Sequence, residues 1–345
     1  AVIRGVHMYG PLLRAVIASA SNDHRLGANE APPAILSVYL GDQLEKVFED
    51  IKAGKLVPTD DGGIMDLGLS QIINFKRDSG DRNRTSPFAF TGNRFEFRAV
   101  GSSQSVSGPL IAMNTMLADS LDWIATKLEA ELSNNTDKTT AVINVLKELM
   151  SLHSNVVFGG DGYSTEWHEM AVKERGLKNL PTSADALPYF QDETIVNLFK
   201  STGVLTPLEL ESRYEIYSEQ YLLSIEVEAK LVVNIAKTLI YPAAISYLSE
   251  LATANTGMES MGISLDNATA KLVATEADSM MAAVVELSEA MEKESFDSTA
   301  DHLQYAAETI CGLMLKIRGH ADTLECEVSD ILWPLPKYQE MLFIK

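Results

Sequence analysis

The sequence predicts an α+β chain that is mostly helical, in which short antiparallel strands with covering helices precede a long-helix bundle. Residues 93–98, NRFEFR, alternate strictly between polar and aromatic side chains, as a strand with one buried face does. From residue 208 onward, apolar residues recur at alternating spacings of three and four, which indicates packed helices. The 345 residues are 46% hydrophobic, enough for a sizeable core and two domains, which we place at 1–217 and 218–345.

The first quarter of the chain predicts two helices, a loop and a strand. Residues 2–20 are typical of a helix interrupted at Gly10-Pro11, and a second helix is expected over 34–53. Arg25 and Glu30 then lie on the loop between the helices, where exposed charges are ordinary. A short strand is expected at 70–75.

The rest of the chain predicts helices. They are expected over 109–131, 138–153, 165–175, 185–190, 193–202, from 208 onward, 265–294 and 299–328. Pro242 is expected to kink or end the helix that starts near 208, whose apolar seam includes Leu239. The last seam includes Leu313 and His320, and we interpret His320 as a hydrogen-bonded core histidine rather than a metal ligand.

The charge of the chain is unevenly distributed. Net charge is −20, yet residues 1–110 hold 12 basic and 12 acidic side chains, while 111–345 hold 16 basic and 36 acidic ones. An acidic exterior repels nucleic acid and anionic membranes, so neither is expected as a partner. Two cysteines make no disulfide framework, and without a secretory signal we expect a cytoplasmic protein. The absence of an initiator Met indicates a piece of a longer protein.

Arginines concentrate in the neutral part, around the predicted hairpin. Five of them lie between Arg77 and Arg98, and Thr91-Gly92 is a plausible hairpin turn. On the strand, Arg94, Glu96 and Arg98 share one face. Guanidinium forks suit phosphate and carboxylate oxygens, and a carboxylate among them suits a hard cation. This pattern indicates the floor of a site for an anionic, metal-bound substrate, and the alternative is a solvated strand with salt bridges.

Three segments together resemble glutamine synthetase, in particular its type III class. They are residues 2–34, which end in NDHRLGANEAPPA, the run DRNRTSPFAFTGNRFEFR at 81–98, and SGPLIAMNTMLADSLD at 107–122. The resemblance implies that the first domain is the carboxyl-terminal portion of the family's catalytic barrel. It also implies ATP-dependent ligation of ammonia to glutamate through γ-glutamyl phosphate, with Mg²⁺ or Mn²⁺, in a homo-oligomer built as a double hexamer.

The resemblance also implies roles for individual residues. Arg25 and Arg98 would bind glutamate, and Glu30, on a flap, would take a proton from ammonium. Arg84 and Arg94 would contact the phosphates of ATP or of the acyl phosphate, and Glu96 would be a metal ligand.

The chain departs from the family's pattern in two places. The spacing between Arg25 and Glu30 is one residue shorter than in the common classes, and Ala89 lies near a family arginine, which Arg82 could replace as a phosphate contact. The family's other metal ligands precede residue 1, so we expect the isolated chain to be inactive. The alternative function is a non-catalytic, ligase-like assembly or interaction module.

Overall fold

The computed structural model describes residues 1–28, 31–54, 64–65, 75–76, 86–134 and 136–342. The chain folds as two compact units, Ala1–Ser218 and Glu219–Lys345. It is mostly helical, as predicted. The helices are α1 Val2–Ala15, α2 Ala20–Arg25, α3 Asp42–Lys52, α4 Ser107–Ser133, α5 Lys138–His153, α6 Thr165–Lys173, α7 Ser183–Ala186, α8 Glu193–Thr202, α9 Pro207–Ile235, α10 Tyr241–Ser260, α11 Ala268–Met291, α12 Thr299–Tyr305, α13 Cys311–Glu327 and α14 Tyr338–Leu342.

The strands are few and short. They are β1 Val38–Tyr39, β2 Ile64–Met65, β3 Phe75–Lys76, β4 Phe88–Phe90 and β5 Phe95–Phe97. One sheet has the order β1-β4-β5, with β1 parallel and β5 antiparallel to β4, and β2 pairs with β3. The prediction of short antiparallel strands is therefore confirmed in part, because a parallel strand joins them. Of the strand predicted at 70–75, only Phe75 lies within the described residues.

The predicted helix over 34–53 is wrong in its first half. Val38 and Tyr39 form β1, and α3 begins only at Asp42. The run from Ile35 to Leu40 is apolar apart from Ser37 and is largely buried, as in a parallel strand that is covered on both faces. Gly41 then adopts a φ of +82°, which few other residues tolerate, and this turn separates the strand from the helix.

Helix α1 lies at the centre of the first unit. Leu12 and Leu13 are fully buried, and the predicted interruption is confirmed at Tyr9, whose φ of −127° is not helical. Pro11 lacks the backbone N–H that would continue the hydrogen-bond ladder, which explains the kink. The helix predicted over 2–20 continues past Pro11 but ends at Ala15. Helix α2 follows, so that Arg25 is the last residue of α2 and not a loop residue.

In the second unit, π-helical turns displace the buried position by one residue at some points of the predicted apolar seams. The turn Ala236–Ile240 buries Ile240, which is 4% exposed, and leaves Leu239 41% exposed. A π turn holds one residue more than an α turn, so every later position rotates. The helix continues through Pro242 to Ser260 rather than ending, because the irregular turn precedes the proline.

In the last long helix the shift is partial: the predicted seam residues Ile317 and Leu324 are buried, whereas Ala321 is buried in place of His320. Its π turn, Ala306–Ile310, is followed by Met314 as the buried residue in place of Leu313. His320 is hydrogen-bonded as predicted, with Nδ1 2.6 Å from Oε2 of Glu276, and both side chains are half-buried between α13 and α11.

One continuous helix, Pro207–Ser260, is long and apolar enough to cross a membrane by length and composition. Its most apolar window has a mean hydropathy of 1.4 and is 22% buried. Core helices of soluble proteins can be equally long and apolar, so this feature alone assigns no location.

Candidate functional site

The predicted hairpin is present and forms the edge of the sheet. Strands β4 and β5 pair so that Phe88 faces Phe97 and Ala89 faces Glu96. The turn closes through a 2.9 Å hydrogen bond from the Thr91 N–H to the Arg94 carbonyl. Gly92 supplies a φ of +96°, the left-handed conformation that a two-residue hairpin turn requires. The hairpin therefore holds the charged face of β5 in a defined register.

The aromatic residues fasten the hairpin to the core. Phe88 is 6% exposed, and its ring centroid lies 5.7 Å from that of Phe95 and 5.5 Å from that of Phe97. Phe95 and Phe97 themselves are half-buried. The alternation predicted that both rings enter the core. They cover its rim instead, because β5 is an edge strand of the described sheet.

The opposite face carries a three-member charge cluster. Arg94 Nη2 lies 2.9 Å from Glu96 Oε1, and Arg98 Nη2 lies 3.2 Å from Glu96 Oε2. The Arg94 side chain is 71% exposed, Glu96 34% and Arg98 18%. Hydrogen bonds from Arg94, which has the larger effect, and from Arg98 lower the pKa of the Glu96 carboxyl. This group therefore stays ionised in mildly acidic solution. The cluster thus presents two cations and one anion.

A buried asparagine ties Arg25 to this strand. Asn22 is 1% exposed and accepts a 3.0 Å hydrogen bond from Nε of Arg25. Its Nδ2 donates to the carbonyls of Ile17, at 2.8 Å, and Ala99, at 3.0 Å. Because Ala99 directly follows Arg98, one side chain connects the helix that ends at Arg25 to the end of β5.

Asn22 was not predicted from the sequence. Its signal is weak, since an asparagine three residues before an arginine in a polar segment predicts a surface loop as readily as a buried bridge.

Four of the predicted site residues lie within the described ranges: Arg25, Arg94, Glu96 and Arg98. The Asn22 side chain ties Arg25 to the strand that carries the other three. The predicted roles of Glu30, Arg82 and Arg84 concern residues that lie outside the described ranges. Ala89 of β4 is the pairing partner of Glu96 on β5 and is fully buried, so this position supplies no cation beside Glu96.

The described residues do not by themselves make a metal site. They contain no group of three or more His, Cys, Asp or Glu side chains placed to hold an ion. Glu96 is a single carboxylate whose two oxygens already accept from arginines. Mg²⁺ gives up its hydration shell only where several anionic oxygens converge, so further ligands would be needed.

Comparison with known proteins places these residues in a family context. Residues 141–259 match the family described as glutamine synthetase C-terminal domain. The whole chain is 39% identical to a type-3 glutamine synthetase of Dictyostelium discoideum and covers 48% of its length. It is also 36% identical, over the whole chain, to a glutamine synthetase of Bacteroides fragilis and covers 49% of it. A glutamine synthetase of Butyrivibrio fibrisolvens is 34% identical over 99% of the chain, which covers 49% of that protein. The chain spans about half the length of these relatives.

Proposed function

We propose that this chain, which is similar over its whole length to about half of a type-3 glutamine synthetase, is the carboxyl-terminal half of an ATP-dependent glutamate–ammonia ligase. The reaction makes glutamine through a γ-glutamyl phosphate intermediate. The observation that supports the proposal best is the Asn22 bridge, which couples Arg25 to the strand of Arg98. Two guanidinium groups held by one network suit the carboxylates of glutamate.

The arginines of the hairpin would supply charge stabilisation. Arg94, with Arg84 and Arg82 outside the described residues, would contact the phosphates of ATP and of the acyl phosphate. Phosphoryl transfer concentrates negative charge on the transferred group, and fixed cations lower the free energy of that charge distribution. Glu30, also outside the described residues, would accept a proton from ammonium and leave ammonia as the nucleophile.

A divalent metal, Mg²⁺ or Mn²⁺, would neutralise phosphate charge when bound. Glu96 would bring one carboxylate to that metal, and the remaining ligands would come from residues other than the described ones. Since the Glu96 oxygens contact Arg94 and Arg98, metal binding would compete with these ion pairs.

The same proposal includes a cytoplasmic homo-oligomer, a double hexamer, with residues 218–345 as an appendage used in assembly. Its helix α11 packs against both α10 and α13, and the described part of this unit holds no cluster of three or more candidate metal ligands. Deleting 218–345 from the complete protein should lower the assembly's mass by more than the deleted residues account for, as analytical ultracentrifugation would measure. A loss equal to the deleted residues alone would remove the assembly role.

The ligase proposal is tested best in a chimera, because the chain spans half of its relatives. The chain replaces the corresponding half of the Bacteroides fragilis glutamine synthetase, and γ-glutamyl transfer is assayed with manganese and ADP. We expect activity in the chimera and none in the chain alone. Glu96→Gln should raise the manganese concentration needed for activity, whereas Glu129→Gln, a change on α4, should not.

A second candidate function is a non-catalytic, ligase-like assembly module. It is favoured by the pairing of Glu96 with two arginines and by the lack of a metal-ligand cluster among the described residues. A chimera that folds and assembles like its Bacteroides parent but shows no turnover would favour this module over the ligase.

A further inference from the structure

A cavity that is separate from the charged hairpin lies between α1 and the segment that follows α6. Its volume is about 150 Å³, and its walls include His7 and Arg14 of α1 together with Leu36, Leu177 and Lys178. A water molecule takes up ~30 Å³ in the liquid, so the cavity has room for a ligand of several heavy atoms.

One lining residue of this cavity, Arg14, is a buried arginine with a donor to spare. The Arg14 side chain is fully buried; its Nε donates to the Leu180 carbonyl at 2.9 Å, and its Nη2 contacts Asp23 Oδ1 at 2.7 Å and the Pro181 carbonyl at 3.1 Å. Nη1 has no hydrogen-bond partner among the described residues. Because an unpaired buried donor loses its hydration without compensation, Nη1 is a strong point of attachment for an acceptor.

The rest of the lining decides between kinds of acceptor. Val6, Pro11, Leu36 and Leu177 supply the apolar part of the wall, which is about half of it. Lys178 is exposed, so that its ammonium can reach the mouth. A phosphate dianion needs more donors than one guanidinium nitrogen and one lysine provide. A carboxylate on a short hydrocarbon chain matches both the donors and the apolar wall.

We propose that this cavity binds a small organic carboxylate, whose oxygens accept hydrogen bonds from Nη1 of Arg14 and from Lys178. The guanidinium then holds the ligand with one nitrogen and Asp23 with another. Asp23 belongs to α2, and α2 ends at Arg25. Occupancy of the cavity therefore stiffens the helix that carries Arg25.

The test is ligand-observed saturation-transfer NMR on the purified chain, with isobutyrate as the probe. Isobutyramide has the same shape without the charge, and inorganic phosphate has the charge without the hydrocarbon. We expect saturable binding of isobutyrate and binding of isobutyramide weaker by about tenfold or more, since a charge-assisted hydrogen bond is lost. Inorganic phosphate should not displace isobutyrate at equal concentration.

Two variants locate the binding without touching the bonds of Arg14. Ala34→Leu places a larger side chain at a lining position and should abolish the isobutyrate signal, and Ala130→Leu on the exposed face of α4 is its matched control. Lys178→Gln should weaken binding several-fold, whereas Lys200→Gln, an exposed lysine of α8, should not. Circular dichroism checks that each variant is folded.

Three outcomes overturn the proposal. They are the absence of saturable isobutyrate binding, undiminished binding by folded Ala34→Leu, and displacement of isobutyrate by phosphate at equal or lower concentration. The first would mean that Nη1 of Arg14 does not receive a carboxylate from this cavity.

Discussion

Acid should destabilise the unit Ala1–Ser218 through a histidine pair that joins α1 to α5. The Nδ1 atoms of His7 and His153 are 2.9 Å apart, and the His153 residue is 7% exposed. Burial, followed by the charges of His7 and Arg4, lowers the pKa of His153 to about 4. Burial also lowers the pKa of His7. A shared hydrogen bond needs one ring to donate and the other to accept, which two neutral rings can do and two cations cannot.

The sign of the effect follows from these lowered pKa values. The unfolded chain binds a proton at His153 from about pH 6.5 downward, whereas the folded chain binds it only near pH 4, so stability falls as the pH falls through this window. The full shift corresponds to an upper limit of about 3 kcal/mol. His7 is half-buried, so water screens the pair, and we expect about 1–2 kcal/mol.

Urea unfolding at pH 7 and pH 5 measures this loss. Trp333→Phe is used as the background, so that fluorescence reports Trp123 and Trp167 of the first unit. His153→Gln keeps a hydrogen-bonding side chain but does not titrate, and it should remove about 1–2 kcal/mol of the pH dependence. His24→Gln, a change at a histidine outside the pair, should not. Equal pH dependence in the background and in His153→Gln would refute the reasoning.

Four further substitutions test packing and polar contacts, each by urea unfolding. Ile240→Ala should cost about 2–4 kcal/mol and Leu239→Ala less than about 1, because the π turn buries only the former; equal costs would contradict the shifted seam. Asp23→Asn should cost about 3–5 kcal/mol, since Arg14 then lacks its counter-charge, and a cost below about 1 would contradict that pairing. Arg175→Leu should cost about 1–2 kcal/mol through its 2.6 Å bond to the Val157 carbonyl and its contact with a tryptophan ring, and no loss would mean that solvent replaces both.

Local patterns predicted the parts of the candidate site that depend on local geometry. The alternation at 93–98 predicts β5 and its charged face because side chains on a strand alternate whatever the strand pairs with. The hairpin turn follows from the glycine at position 92. The partners of Glu96 are its own strand neighbours, which is why the salt-bridged alternative was visible in the sequence.

The parts that the sequence did not predict depend on distant contacts. The apolar run from Ile35 to Leu40 suits a buried helix or a buried strand, and only pairing with β4 decides between them. The π turns leave no pattern in a seam of Leu, Ile and Ala, because both neighbouring residues are apolar. Asn22 and Arg14 are polar residues in helical or loop sequence, and their burial follows from partners 77 and 166 positions away.

These distant partners explain how a six-residue helix can position an arginine. Helix α2 is too short to be stable by itself, so tertiary contacts must hold it. Asn22 fixes one side to the Ala99 carbonyl, and Asp23 fixes the other by accepting from Arg14 and from the N–H and hydroxyl of Ser183, at 2.6 and 2.8 Å. Burial raises the pKa of the Asp23 carboxyl while Arg14 opposes the rise, so the anchor depends on that guanidinium. Any ligand that engages Arg14 therefore acts on the same helix that carries Arg25, and through Asn22 on the end of the strand that carries Arg98.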